Sequence, residues 1–386
     1  MRCAATKFLF LNNFVDKNNL YQFSYSLKYL LFPFAVLYDL ITRSRNFFYD
    51  KKWFVSMQPS VFTISVGNLT VGGTGKTPHI EYLIRYFLKK NENSENYKLA
   101  TLSRGYGRKT KGFFLANKQT TTSEIGDEPM QFYQKFAQNN QNVNIVVCEK
   151  RVLGAQKIIK LFSTTKTILL DDAFQHRAIK PHFSILLSDY NRPFYEDFLL
   201  PMGRIRENRK GARRADVVLV SKCPSSLIEE KRQIIRKKIN NYTKSPVFFT
   251  SFDYDKPISL VDSNQELKLE SDKNYSFGIL AGIANYQPFQ KYIEKNFTSF
   301  GKLETQKNFP DHYDYTEKDI EFLKDVNSNK IWFTTEKDAV KLRPLIQSFT
   351  EKEQNKISIF YIPIRVVFLD KNEEKQFQEL IEEKQF

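Results

Sequence analysis

The chain has 386 residues, 41% of them hydrophobic and 26% charged. That length suggests two or three domains, and the balance excludes a disordered or fibrous chain. The formal net charge of +16 suits an anionic partner such as nucleic acid, anionic lipid or a phosphorylated substrate, and equally a lysine-rich solvated surface. Three cysteines (Cys3, Cys148, Cys223) and four scattered histidines (His79, His176, His182, His312) argue against a disulfide framework and against zinc.

In chain order, Met1–Asn19 carries a short apolar patch, Phe8–Leu11, without a convincing signal-peptide cleavage site, and reads as an extension or as the product of an early start codon. Tyr21–Trp53 is centred on the aromatic, apolar run Tyr29–Tyr38, with Lys28 before it and Arg43, Arg45, Lys51 and Lys52 after. Pro33 and Asp39 break the run, which falls short of the roughly 20 residues of a membrane span. It predicts a helix lying on an anionic lipid surface, or one packed on the protein's own core.

Val61–Val66 is an apolar, β-branched run followed by Gly72, Gly73 and Gly75, then Lys76 and Thr77, then the apolar-periodic Ile80–Leu88. Strand, glycine loop, Lys-Thr and helix form the layout of a phosphate-binding P-loop. Glycines let successive N–H groups converge on an anion, and the helix start adds free donors and partial positive charge. Lys76 can reach the β- and γ-phosphates, and the Thr77 hydroxyl suits Mg²⁺. The strict pattern asks for glycine where Thr70 stands, so the loop is expected to turn on Gly72 and Gly73.

Strand and helix signals then alternate: strands at Lys98–Leu102, Asn144–Cys148, Thr167–Leu170, Phe183–Leu187 and Val217–Val220, helices at Pro129–Gln138 and Arg151–Leu161. This predicts a doubly wound, mostly parallel α/β sheet with ligands outside the strands' carboxyl ends. Beyond Cys223 a charged helix (Glu229–Lys238) and strands at Val247–Thr250, Tyr275–Ala281, Ile331–Thr334 and Ile357–Tyr361 suggest a second, smaller α/β domain. The expected division is 1–54 for the extension and amphipathic helix, 55–222 for the P-loop domain and 223–386 for the smaller one.

Several loops carry candidate chemistry. Ser103–Arg108 (SRGYGR) offers Arg104 and Tyr106 to an anion or sugar, or is a tight turn. Gly126-Asp127-Glu128-Pro129 puts two acids at a helix start, either as caps or as acceptors of a hydroxyl proton. Leu169-Leu170-Asp171-Asp172 has the Walker B form, a strand delivering carboxylates beside a nucleotide's Mg²⁺, with Gln175 and His176 following. Leu200–Glu207 holds Arg204 and Arg206 and runs on to Arg209, Arg213 and Arg214, a phosphate clamp or a solvated basic face. Phe309–Asp314 sets His312 among acids, and Thr334–Asp338 reads as a strand end whose Thr335 caps a helix.

Together these motifs resemble the tetraacyldisaccharide 4'-kinase (lipid A 4'-kinase) family. The resemblance rests on Gly67–Pro78, Ser103–Gly107, Gly126–Pro129, Asp171-Asp172 with Phe174-Gln175-His176, Gly278–Asn285, Phe309–His312 and Thr334–Asp338, across about residues 25–365. It implies a P-loop NTPase-like fold and transfer of the ATP γ-phosphate, with Mg²⁺, to the 4'-hydroxyl of a tetraacylated glucosamine disaccharide 1-phosphate. The setting implied is the cytoplasmic face of the inner membrane, with peripheral or monotopic attachment through the N-terminal helix; the protein is expected to be a monomer. The resemblance assigns Asp127, His312 and Lys76 to catalysis and Thr70, Val71, Gly72, Gly73, Thr74, Gly75, Lys76 and Thr77 to ATP. It assigns Thr77, Asp171 and Asp172 to the metal. Arg104, Tyr106, Glu128, Gln175, His176, Arg204 and Arg206 would meet the substrate. Pairing Asp127 with His312 would require two domains to close. The family usually has glycine where this chain has Ala173.

Two other classes compete. A membrane-associated P-loop switch would share the loop and the Walker B acids, but its guanine-reading motif is matched only poorly by Thr335-Glu336-Lys337-Asp338. A nucleic-acid binder has the charge in its favour but no module here, so no nucleic-acid partner is expected.

Overall fold

The computed structural model describes residues 29–385 except 95, 263–264 and 325–328. The expected extension Met1–Asn19 lies outside the described residues. In chain order the main elements are α1 (Phe32–Asp50), β1 (Phe62–Asn68), α2 (Lys76–Lys90), β2 (Lys98–Ser103), β3 (Phe114–Leu115) and α3 (Asp127–Phe132). Then follow β4 (Val143–Val147), α4 (Arg151–Leu161), β5 (Thr165–Asp171), β6 (Phe183–Asp189), β7 (Val217–Ser221), α5 (Glu229–Asn240), β8 (Val247–Tyr254), β9 (Ile258–Ser259) and β10 (Tyr275–Ala281). The chain closes with α6 (Gln287–Phe297), β11 (Gly301–Asn308), β12 (Lys330–Thr335), α7 (Glu336–Gln347), β13 (Ile359–Ile362), β14 (Ile364–Phe368) and α8 (Lys371–Gln385).

Nine strands form one sheet in the order β14-β8-β7-β6-β1-β5-β2-β4-β3, parallel except at its two edges, where β3 and β14 run antiparallel. All seven residues of β1 are buried, as expected of a central strand covered on both faces. Helix α2 places Ile80, Leu83, Ile84 and Phe87 against it at helical spacing, all essentially inaccessible. Burying each such side chain contributes about 1.5–3 kcal/mol. A second sheet, β11-β10-β12-β13-β9, has its own core around Phe277, Phe297, Phe333 and Leu342.

The division expected at residue 222 does not coincide with the sheets. Strand β8 pairs in parallel with β7, and β14 pairs with β8, so both extend the first sheet. Helix α8 returns to the first sheet as well: Tyr82 and Tyr86 of α2 donate to Glu374 (2.8 Å) and Glu382 (2.7 Å). The second sheet is therefore an insertion between β8 and β14, entered at 255–257 and left at Pro363. The two crossings touch, since the Asp255 amide donates to the Pro363 carbonyl at 2.9 Å. Local patterning could not show this, because strand order is fixed by long-range pairing.

Helix α1 buries only Ala35 and Thr42. Its polar face is tied to the segment after β6. The Tyr38 hydroxyl donates to the Arg206 carbonyl (2.8 Å), and the Asn46 amide donates to Glu207 (2.8 Å). Its apolar face is open: Phe34 and Ile41 are 61% exposed, and Leu37 and Leu40 nearly as much. No helix among the described residues is long and apolar enough to cross a membrane.

Candidate active site

The glycine loop joins β1 to α2 at the carboxyl edge of the first sheet. Gly72 and Gly75 take positive φ (112° and 85°), whereas Gly73 does not, so the turning positions are Gly72 and Gly75 rather than the expected Gly72 and Gly73. Gly75 is the N-cap of α2, and a Cβ there would meet the Phe252 ring at 2.4 Å. Thr70, where a strict P-loop has glycine, is buried in extended backbone bridged to Ile205, and the Val71 amide donates to the Arg204 carbonyl (2.7 Å). The entry to the loop is thus held as a short ribbon by the arginine segment. Thr74 is pinned from below by the Asn68 amide at 2.8 Å.

Strand β5 pairs with β1 and delivers Asp171 and Asp172 beside the loop. Asp172 is the residue that turns the chain, with φ 48°, a left-handed conformation that Asp tolerates better than most residues. Ala173 carries no such demand, which explains why it can replace glycine. Asp172 lies 3.8 Å from Lys76 Nζ and takes a forked pair from the Arg206 guanidinium at 2.8 and 3.1 Å. Burial would push its pKa up, but Lys76 and Arg206 overcome it and hold the carboxyl below its usual range. Asp171 is buried without such a partner, and burial raises it to about 7. Among the described residues its Oδ1 has no hydrogen-bond partner.

This donor set fits Mg²⁺. The Thr77 hydroxyl and the two carboxylates offer hard oxygens, one of them unclaimed, and Mg²⁺ typically binds one or two carboxylates plus substrate phosphates. Among the described residues there is no cluster of His, Cys, Asp or Glu suited to a metal caged by protein alone.

Across the cleft, Asp127 opens α3 and meets two cations of the inserted unit. His312 Nδ1 lies 3.0 Å from Asp127 Oδ2, and Lys341 Nζ lies 3.0 Å from the same oxygen. Burial alone would raise the Asp127 pKa, but His312 and Lys341 more than offset it, so the carboxyl sits below its ordinary value. The bond to Asp127 raises His312, while burial and nearby Lys337 act the other way. Lys337 Nζ is 3.1 Å from His312 Nε2, and the Tyr106 ring centroid lies 5.9 Å from that of His312. His312 also has positive φ (61°), a placement that aims its ring at Asp127.

The other expected residues divide. Glu128 adjoins the dyad and Asp171 closely enough to raise both His312 and Asp171. Arg104 and Arg204 are exposed at the rim. Burial and nearby Arg151 and Arg104 lower the His176 pKa. Gln175 is committed internally: its amide donates to the Asn68 carbonyl (2.8 Å) and to Glu207 (3.0 Å). Glu207, fully buried, is also paired with Arg214 at 2.7 Å. Sequence reasoning missed Lys337 and Lys341. Their signal was the four-residue spacing that puts both on one face of α7, just after the strand end that was read only as a cap. The cap is real: Thr335 Oγ1 accepts from the Asp338 amide at 3.2 Å. A cavity of ≈ 660 Å³ lined by Lys268, Tyr275 and Phe360 lies on the second sheet and contains none of these groups.

A glycine loop with Lys-Thr at a helix start, paired acids on the neighbouring strand and a third acid facing a histidine define a P-loop phosphotransferase. Comparison with known proteins narrows the class. The model of the tetraacyldisaccharide-1-P 4'-kinase family, LpxK, matches residues 27–385. The chain is 42% identical over 361 residues to the tetraacyldisaccharide 4'-kinase of Flavobacterium psychrophilum, covering 92% of this chain and 96% of that one. It is 36% identical over 365 residues to that of Bacteroides thetaiotaomicron, covering 91% and 92%. Its fold is similar to a crystal structure of Aquifex aeolicus LpxK in complex with ATP, with TM-score 0.69 and 26% identity over 93% of this chain and 100% of that one. The chain belongs to the tetraacyldisaccharide 4'-kinase family.

Proposed function

We propose that this protein transfers the γ-phosphate of ATP to the 4'-hydroxyl of a tetraacylated glucosamine disaccharide 1-phosphate. The observation that carries this reading is Asp127, held by His312 and Lys341 from the inserted unit, with the adjoining Glu128 close enough to Asp171 to raise it. A simple hydrolase or switch has no need of a base supplied by closure of two units.

The acceptor oxygen forms a bond to the γ-phosphorus as the bond from that phosphorus to the β–γ bridging oxygen breaks, and ADP leaves. Asp127 takes the acceptor proton, and His312 orients and steadies the carboxylate through Nδ1. The loop from Thr70 to Thr77 cradles the phosphates through the amides that the fold leaves free, the Val71 amide being already given to Arg204, with Lys76 neutralising charge as it builds. Lys76 exchanges its long contact with Asp172 for phosphate, and Arg206 keeps Asp172 in place. Thr77, Asp171 and Asp172 would hold Mg²⁺, which supplies neutralisation of the β- and γ-phosphates; the unclaimed Oδ1 of Asp171 favours that residue. Tyr106, Arg104, Glu128, His176 and Arg204 surround the acceptor side. Helix α1 rests on an anionic membrane surface, its apolar residues toward the acyl region. This suits a monomeric enzyme at the cytoplasmic face of the inner membrane, reaching an amphiphile without spanning the bilayer.

Purified protein given γ-labelled ATP and Mg²⁺ is expected to label the disaccharide 1-phosphate lipid. Release of inorganic phosphate with no labelled lipid would overturn the kinase reading and favour a switch.

A further inference from the structure

The ends of β6 and β7 hold the glycine loop through contacts that the transfer chemistry does not use. The buried Ser221 hydroxyl donates to the Thr74 carbonyl at 2.8 Å. The neighbouring Lys222 ammonium donates to the Gly73 carbonyl and pairs with Asp189 at 2.8 Å. Lys222 has φ 60°, a left-handed backbone that is unfavourable for a lysine and that persists only where its surroundings fix it. Here it turns the side chain back across the loop. The turn that follows, Pro224-Ser225-Ser226, is exposed, and a Cβ on Gly73 would meet nothing within 4 Å among the described residues. Lys222 thus borders open space beside the phosphate cradle.

A nucleotide on this loop has two ends. The end that reacts must face Asp127, and the acids Asp171 and Asp172 lie at the carboxyl end of β5, on one side of β1. Strands β6 and β7 lie on the other side. The nucleoside end therefore leaves over β6 and β7, where Lys222 is the long side chain at the loop. We propose that Lys222, fixed by Asp189 and by the Gly73 carbonyl, is the floor of the nucleoside subsite. Its four-carbon stem packs on the base and ribose, with its cation near the ring. The next residues, Cys223-Pro224-Ser225-Ser226, include no acid to take the N–H donors of a guanine edge, so the subsite grips the face of a purine rather than reading its edge. This rests on the ATP-dependent reading above, and it adds a base-side residue to a site so far defined only by phosphate and acceptor groups.

The test compares ADP with inorganic tripolyphosphate, which has no nucleoside, by calorimetry on the full chain with Mg²⁺. In Lys222→Asn, which tolerates the left-handed backbone, ADP is expected to bind about tenfold more weakly while tripolyphosphate stays within about twofold. Lys222→Gly, which adopts that backbone without strain, is expected to show the same split. Equal weakening of both ligands would mean that Lys222 only shapes the loop, and unchanged ADP binding would mean that the base does not rest there; either overturns the proposal. Failure of the wild-type chain to bind either ligand would overturn the nucleotide reading itself.

Discussion

Asp127 and His312 approach each other from different units, and their titration ties charge to closure. His312 is raised above its ordinary 6.5, so the protonated ring's contact contributes fully below that value and fades as pH climbs through the raised one. Asp127 is lowered, so its contribution is present above its ordinary 3.8 and is lost as pH falls through the depressed value. The expected outcome is that His312→Gln lowers the melting temperature most near about pH 5–6 and hardly at all near about pH 9. A melting difference independent of pH would mean that the ring acts by packing alone. At the other acid pair, Arg206→Met strips Asp172 of its fork. It is expected to weaken MgADP binding measured by calorimetry by about tenfold or more, since truncating one partner of a charged hydrogen-bonded pair typically costs 2–5 kcal/mol.

One helix joins the two units away from the cleft. Helix α3 runs on as a π-helical turn, Tyr133–Ala137, where the sequence predicted one regular helix over Pro129–Gln138. That turn sets Lys135 between Glu81 of α2 (2.7 Å) and Glu336 at the start of α7 (2.5 Å). Burial and the nearby Glu81 push Glu336 up to about 7, so the lysine is what keeps two acids together in a dry interface. Lys135→Ala leaves Glu336 without its cation while Glu81 keeps Arg85 and the Gln131 amide, and it is expected to cost about 3–5 kcal/mol in a urea titration. No loss would mean that the acids share a proton instead. For α1, Leu37→Glu with Ile41→Glu is expected to abolish sedimentation with anionic vesicles while leaving soluble ATP binding intact. Retained sedimentation would remove the helix from the membrane account.

The whole molecule is one sheet with another inserted into it, and the two kinds of knowledge divide along that line. The central parallel strands were legible because each is a short, β-branched, continuously apolar run. The P-loop was legible because its glycines, Lys76 and Thr77 are adjacent in the chain. Strand β14 was not legible, since Ile364–Phe368 gains its meaning only by pairing with β8. Strand β11 alternates half-buried and exposed residues along a polar sequence, GKLETQKN, which periodicity reads poorly. At the site, Asp127 and His312 were found as motifs, but Lys341 and Lys337 needed the inserted sheet folded over α3 before they could be seen as partners. Gln175 looked like a substrate ligand by position and is instead engaged with Asn68 and Glu207.

The claim at the centre of this account is that closure completes a base on Asp127 for a nucleotide already held by the loop. The most direct measurement pairs steady-state transfer to the lipid acceptor with calorimetric MgADP binding in Asp127→Asn. The account predicts turnover reduced by about 10²–10⁴-fold with nucleotide affinity essentially unchanged, as for a group acting in the transition state. Loss of nucleotide affinity in step with turnover would contradict it and return Asp127 to the role of a helix-capping acid.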